Sequence, residues 1–173
     1  DSHRSDAESR EFTRRLAAFA GHANRVIKDH EGWPIYVGGD DVLALLPADR
    51  AVACGAELDK CFREQVPKAS LSGGIAVVHH LEFLGSSLDY ARALEAKAKV
   101  EGKKKSGGAI CLGISKRSGG EVEIVGTWAE AQARLAEAHE LVRDDEISHG
   151  LPYELRRLCD EVSQDSDQLL VEE

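Results

Sequence analysis

Methionine is absent from all 173 residues, and no apolar run approaches the roughly 18 residues that a membrane span needs. The start shows no signal-peptide pattern. The four cysteines (Cys54, Cys61, Cys111 and Cys159) form no CxxC pair. Cys54 and Cys61 would stand about 10 Å apart along a helix, too far to bridge. These absences point to a reduced, cytoplasmic chain that avoids membranes. Basic charge is also short: 31 acids face 22 bases for a net -9, which argues against non-specific binding of bulk nucleic acid. No GxSxG and no paired Cys–His signature occurs, so nucleophilic hydrolysis is not expected. A chain without methionine that opens on Asp1 reads as an excerpt from a longer polypeptide.

What is present suits one compact domain, or one domain with a small appendage: 42% of residues are hydrophobic and 31% charged. The charge is unevenly placed. Residues 1–126 hold equal numbers of acids and bases, so residues 127–173 carry the whole excess. The change of character near Thr127 predicts a boundary, with one domain over 1–126 and an acidic helical domain over 127–173.

Phe12, Leu16, Phe19, Ala23, Val26 and Ile27 repeat at helical spacing and predict an amphipathic helix over about 6–29, ended by the HEG turn. WPIYVGGDDVLALLP then gives two short β-rich runs either side of Gly38-Gly39-Asp40-Asp41, a strong local hairpin signal. Because VLALL is apolar throughout, both faces of that strand are expected to be covered. Pro47 stops it, and Asp49 is a candidate cap for a helix carrying Val52, Leu58 and Phe62. SLSGGIAVVHH reads as a third strand. A helix follows from Ser86 to about Lys99, then AICLGIS and EVEIVG as strands joined at Ser118-Gly119-Gly120. Trp128, Ala131, Leu135, Ala138 and Leu141 mark another helix, Pro152–Val162 a further one, and the acidic tail reads as frayed. The order α-β-β-α-β-α-β-β lacks one leading strand of the ferredoxin-like β-α-β-β-α-β.

Two adjacent carboxylates in a tight turn repel unless a divalent cation makes their pairing favourable. The glycines before them permit positive φ and leave room for a phosphate. Asp40 and Asp41 are therefore candidate ligands for Mg²⁺ or Mn²⁺ over a triphosphate, although the same four letters are more often a solvated hairpin turn. Lys99, followed by a GKKKSGG segment expected to be a flexible loop, is a candidate phosphate contact or simply part of a basic surface. His79 and His80 are expected to end the third strand and point to opposite faces, so that they cannot serve one site.

IYVGGDDVLALLP, LSGGIAVVHH, LDYARALEAKAK, ISKRSGG and VGTW, in this order and spacing, resemble the second palm domain of the large subunit of type III CRISPR effector complexes. The resemblance covers about residues 9–128, and the helical remainder is similar to that subunit's C-terminal helical domain. It implies an α+β, ferredoxin-like nucleotidyl cyclase/polymerase palm whose first strand is missing, with a small helical domain after it. It further implies synthesis of cyclic oligoadenylates from ATP when the complex binds target RNA. Asp40 and Asp41 would ligate two metals, Gly38 and Gly39 would let the nucleotide approach, and Lys99 would contact phosphate. Ser72 and Gly73 would line the nucleotide. Implied partners are the other effector subunits, a small helical subunit among them, with guide and target RNA reached through the complex. The family's further metal-binding aspartate lies on the strand that this chain lacks. Against this stand a palm that binds ATP without catalysis and serves as scaffold, and a diguanylate cyclase-like enzyme. The latter would show Glu-Phe where this chain has Asp41-Val42, and GRN where it has GKKKSGG.

Overall fold

The computed structural model describes residues 6–105, 107–115 and 121–143. Among them run α1 (Asp6–Asp29), β1 (Trp33–Gly38), β2 (Asp41–Leu45), α2 (Ala48–Gln65), β3 (Gly73–Val77), α3 (Leu84–Lys105), β4 (Ala109–Ser115), β5 (Glu121–Thr127) and α4 (Trp128–Arg143). The predicted joint at Ser118–Gly120, the helix at 152–162 and the acidic tail lie outside the described residues. The chain divides into two units, Asp1–Gln132 and Ala133–Glu173.

The apolar stripe of α1 does what its spacing implies. Phe19, Ala23, Val26 and Ile27 are buried against Cys54, Leu58, Phe62 and Val66, all but Val66 on α2. The rings of Phe19 and Phe62 meet edge to face at 4.9 Å. The HEG turn closes α1 as a Schellman motif. Gly32 N–H donates to Ile27 O and Glu31 N–H to Lys28 O, with Glu31 rather than the glycine in the left-handed region at φ 59. Pro47, not Asp49, stands at the N-cap of α2 and makes no side-chain cap. Asp49 falls in the first turn, where a carboxylate favours the positive end of the helix. At α4 the sequence TWAE forms a capping box: Glu130 N–H donates to Thr127 Oγ1 at 3.2 Å and Thr127 N–H to Glu130 Oε2 at 2.8 Å.

Among the described residues, five strands form two sheets. β1 and β2 pair antiparallel as a hairpin; β3 runs parallel to β4, which pairs antiparallel with β5. Period-two alternation on β3 separates its two coverings. Ile75 and Val77 pack with Val52 of α2 and Trp128 of α4, whereas Ala76 packs with Leu94 and Ala98 of α3. The hairpin is covered differently. Val37, Val42 and Ala44 face the α1–α2 core, but Leu45 on the other face is 53% exposed. The expectation that VLALL would be covered on both faces is corrected, because among the described residues α1 and α2 cover only the face that carries Val37, Val42 and Ala44. The edges of β2 and β3 that face away from β1 and β4 pair with no strand among the described residues.

Asp59 is the one buried acid among the described residues. It accepts Leu71 N–H and Arg63 Nε at 2.7 Å each, tying α2 to the approach to β3. Cys54, Cys61 and Cys111 are free thiols, and burial pushes Cys54 up to about 11, with Glu57 adding to the shift. Because the unfolded thiol ionises near 9.0 and the folded one only near 11, this group's contribution to stability is complete below pH 9. It is lost as the pH rises towards 11, by at most about 3 kcal/mol. Alkylation of Cys54 at pH 8.5 is accordingly expected to run roughly 100-fold slower in the folded chain than in urea, as peptide mapping of the alkylated protein would read.

Candidate functional site

Gly38 and Asp41 are the last paired residues of the hairpin, leaving Gly39 and Asp40 as a two-residue loop. Gly39 has φ +69 and Asp40 does not have positive φ, which is the pattern of a type II′ turn with glycine at its first central position. A side chain at Gly39 would meet little, its nearest neighbour being Leu16 Cδ1 at 3.8 Å, but the backbone there would be strained for any L residue. The turn therefore offers an uncluttered tip carrying two exposed carboxylates.

Asp41 is directly opposite Gly38, and Leu43 opposite Tyr36, so these four positions share the hairpin face turned away from α1. Ile35 is the extra residue of a bulge between Pro34 and Tyr36, which restores the pairing of Trp33 with Leu45. The space in front of Gly38 is occupied: a Cβ there would collide with the hydroxyl end of the Tyr36 ring.

Lys99 comes from α3, far along the chain, yet the charges of Asp41 and Asp40 act on it. Its hydrogen bond to Glu95 holds Lys99 above the usual lysine range; partial burial works the other way, and the charges of Glu95, Asp41 and Asp40 add to the rise. Lys99 Nζ stands 2.7 Å from Glu95 Oε1, one helical turn earlier. Glu95 owes its position to Gly74, over which the helix backbone at Ala91 and Glu95 lies closely enough to exclude any side chain. The second of the two glycines of β3 thus sets where Lys99 emerges.

The other sequence-predicted residues have different surroundings. Ser72 Oγ accepts Ala109 N–H at 3.4 Å and sits beside Gly102, while a Cβ at Gly73 would come within 3.0 Å of the Trp128 ring. Trp128 Nε1 donates to Leu71 O at 2.8 Å, fixing that corner. The GKKKSGG segment is not a loop as far as Lys105, because α3 continues through Gly102-Lys103-Lys104. Gly107 N–H then closes back on Gly102 O at 3.0 Å. His79 and His80 lie beyond the end of β3, outside the alternation assumed for them, and their rings stack 4.3 Å apart instead of facing opposite ways. Tyr36 and Glu95 were not singled out as site residues from sequence. The signals were an aromatic two residues before the glycine pair and an acid four residues before the lysine.

No group of three or more His, Cys, Asp or Glu side chains gathers among the described residues. Two carboxylates, with the remaining positions left to water and substrate oxygens, nevertheless suit Mg²⁺, which is commonly held by one or two acids together with substrate phosphates. A glycine hairpin turn with paired acids on an α+β frame suits a palm of the nucleotidyltransferase-like kind. Residues 1–107 match the family Cas10/Cmr2, second palm domain. The chain belongs to that family, and so to the palm of the large type III CRISPR subunit. It is 39% identical over 112 residues to the CRISPR system Cmr subunit Cmr2 of Pyrococcus furiosus. That match takes in 60% of this chain and 12% of the relative's length. Among the described residues no helix is long and apolar enough to cross a membrane.

Proposed function

We propose that this chain is the nucleotidyltransferase palm of a type III CRISPR effector, making cyclic oligoadenylates from ATP. The observation that carries the reading is the pair of exposed acids, Asp40 and Asp41, on the glycine turn of the hairpin, whose charges reach Lys99 of α3. In the proposed reaction a ribose hydroxyl of one ATP attacks the α-phosphorus of another. The new P–O bond forms as the bond to the β-phosphate oxygen breaks, pyrophosphate leaves with the electron pair, and the hydroxyl proton passes to solvent. Asp40 and Asp41 would hold Mg²⁺ or Mn²⁺, which when bound supplies charge stabilisation and an acidified hydroxyl. Lys99 donates to phosphate oxygens as a point charge, exchanging its Glu95 partner for the substrate. The open tip at Gly39 lets the triphosphate lie against backbone. Such a site works by positioning and electrostatics and needs no nucleophile of its own. The other effector subunits, guide RNA and target RNA are the partners this reading requires.

The test is incubation of the full-length subunit, in its effector assembly with target RNA, with labelled ATP and Mn²⁺. Cyclic oligoadenylates are expected. Lys99→Ala should cut their rate roughly 10- to 100-fold, the worth of a charge-assisted hydrogen bond or two. Efficient turnover of GTP in place of ATP, or no product at all, would overturn the proposal.

A further inference from the structure

The Tyr36 ring is 57% exposed, on the hairpin face that carries Asp41, and it lies over the backbone of Gly38. Gly38 is thus not an open approach to the turn, since anything nearing it from that face meets the ring first. The Tyr36–Leu43 pair lies two residues along the hairpin from the Gly38–Asp41 pair, about 7 Å at the usual strand rise. The ring closes that gap, its hydroxyl end reaching back over Gly38, directly opposite Asp41. Leu43 opposite is half-buried and continues an apolar floor beside the ring. Asp41 and the Tyr36 ring therefore lie together on one face of the hairpin, beside the turn that carries Asp40. An aromatic ring next to a phosphate-and-metal locus is the usual way to hold the nucleoside part of a ligand without reading its hydrogen-bonding edge.

We infer that Tyr36 carries the nucleoside end of the nucleotide whose phosphates meet Asp40, Asp41 and Lys99, its ring bearing on the base or ribose. The inference rests on the nucleotide-binding reading above and adds a ligand contact to it. It also accounts for Gly38, where a side chain would displace the ring.

Inorganic tripolyphosphate, which has the phosphates but no nucleoside, separates the two ends. Calorimetric titrations of ATP and of tripolyphosphate with Mn²⁺ into the chain would compare wild type, Tyr36→Ala, Tyr36→Phe and the Asp40→Ala/Asp41→Ala double variant. Tyr36→Ala is expected to weaken ATP roughly tenfold and leave tripolyphosphate unchanged, while Tyr36→Phe keeps both. Unchanged tripolyphosphate binding also shows that the turn remains folded. Equal weakening of ATP and tripolyphosphate in Tyr36→Ala would overturn the inference, since the ring would then only shape the turn. Full retention of ATP binding in Tyr36→Ala, alongside its loss in the double variant, would overturn the inference alone. ATP binding that survives the double variant, or none in the wild type, would overturn the underlying reading and the inference with it.

Discussion

Asp40→Ala combined with Asp41→Ala is expected to abolish metal-dependent ATP binding while leaving the fold as stable as before. Both side chains are exposed, and among the described residues neither accepts a hydrogen bond or forms an ion pair. Their removal takes nothing from the core, so the stability change should stay within about 0.5 kcal/mol. Relief of repulsion between neighbouring carboxylates acts in the stabilising direction. The turn itself survives because Gly39 supplies its positive φ and the pairing of β1 with β2 does not use these side chains. Binding responds in the opposite way. Without either carboxylate the cation has no protein ligand at the turn, and the triphosphate meets Lys99 alone, so affinity for Mn²⁺-ATP should fall at least about 100-fold. Calorimetry with ATP, with and without Mn²⁺, beside a thermal melt would check both halves. Unchanged binding with an unchanged melt would make GGDD a turn and nothing more. Lost binding with a collapsed melt would mean that the acids hold the hairpin together.

Local signals carried most of the fold. The apolar stripe of α1, the glycine turn and the β3 and β4 strands themselves follow from spacing and turn chemistry within short windows, whereas the parallel pairing of β3 with β4 reaches across α3. Two of the misreadings share one cause, which is that coverage and helix length are decided by neighbours distant in sequence. VLALL looks doubly buried, yet Leu45 is exposed because helices cover one face of the hairpin. Gly102 looks like a helix stop. It is held in α3 by close packing against Ser72 and Gly107, contacts made by the approaches to β3 and β4. The turn acids and Lys99 were legible as candidates, but the reach of the acids' charges to Lys99 was not, since it depends on how α3 lies across β3. Tyr36 was hidden for a similar reason: an exposed aromatic and a glycine two residues later acquire meaning only when the ring is seen over the backbone.

Gly74→Ala is the substitution expected to show that dependence most strongly. A methyl group at this position would be driven into the carbonyl of Ala91 and the amide of Glu95, with Glu95 Cα at 3.0 Å. These are backbone atoms of a helix anchored by the fully buried Leu94 and Ala98, so no rotamer change can make room. The helix must lift from β3, and overpacking of this kind costs up to about 3 kcal/mol. That corresponds to a fall in melting temperature of roughly 6–12 °C. Gly21→Ala makes the same chemical change in mid-helix with nothing within 4 Å, and it should stabilise by about 0.5–1 kcal/mol. The pair separates steric conflict from the generic effect of replacing glycine. The functional consequence is specific as well. Lys99 leaves α3 one turn after Glu95, so lifting the helix withdraws the cation from the turn while leaving Asp40 and Asp41 untouched. Gly74→Ala should therefore weaken ATP about tenfold at a temperature where the chain is still folded, with little change in the affinity for Mn²⁺ alone. Equal loss for metal and nucleotide would place the damage in the hairpin, and an unchanged melt would show that α3 has slack over β3.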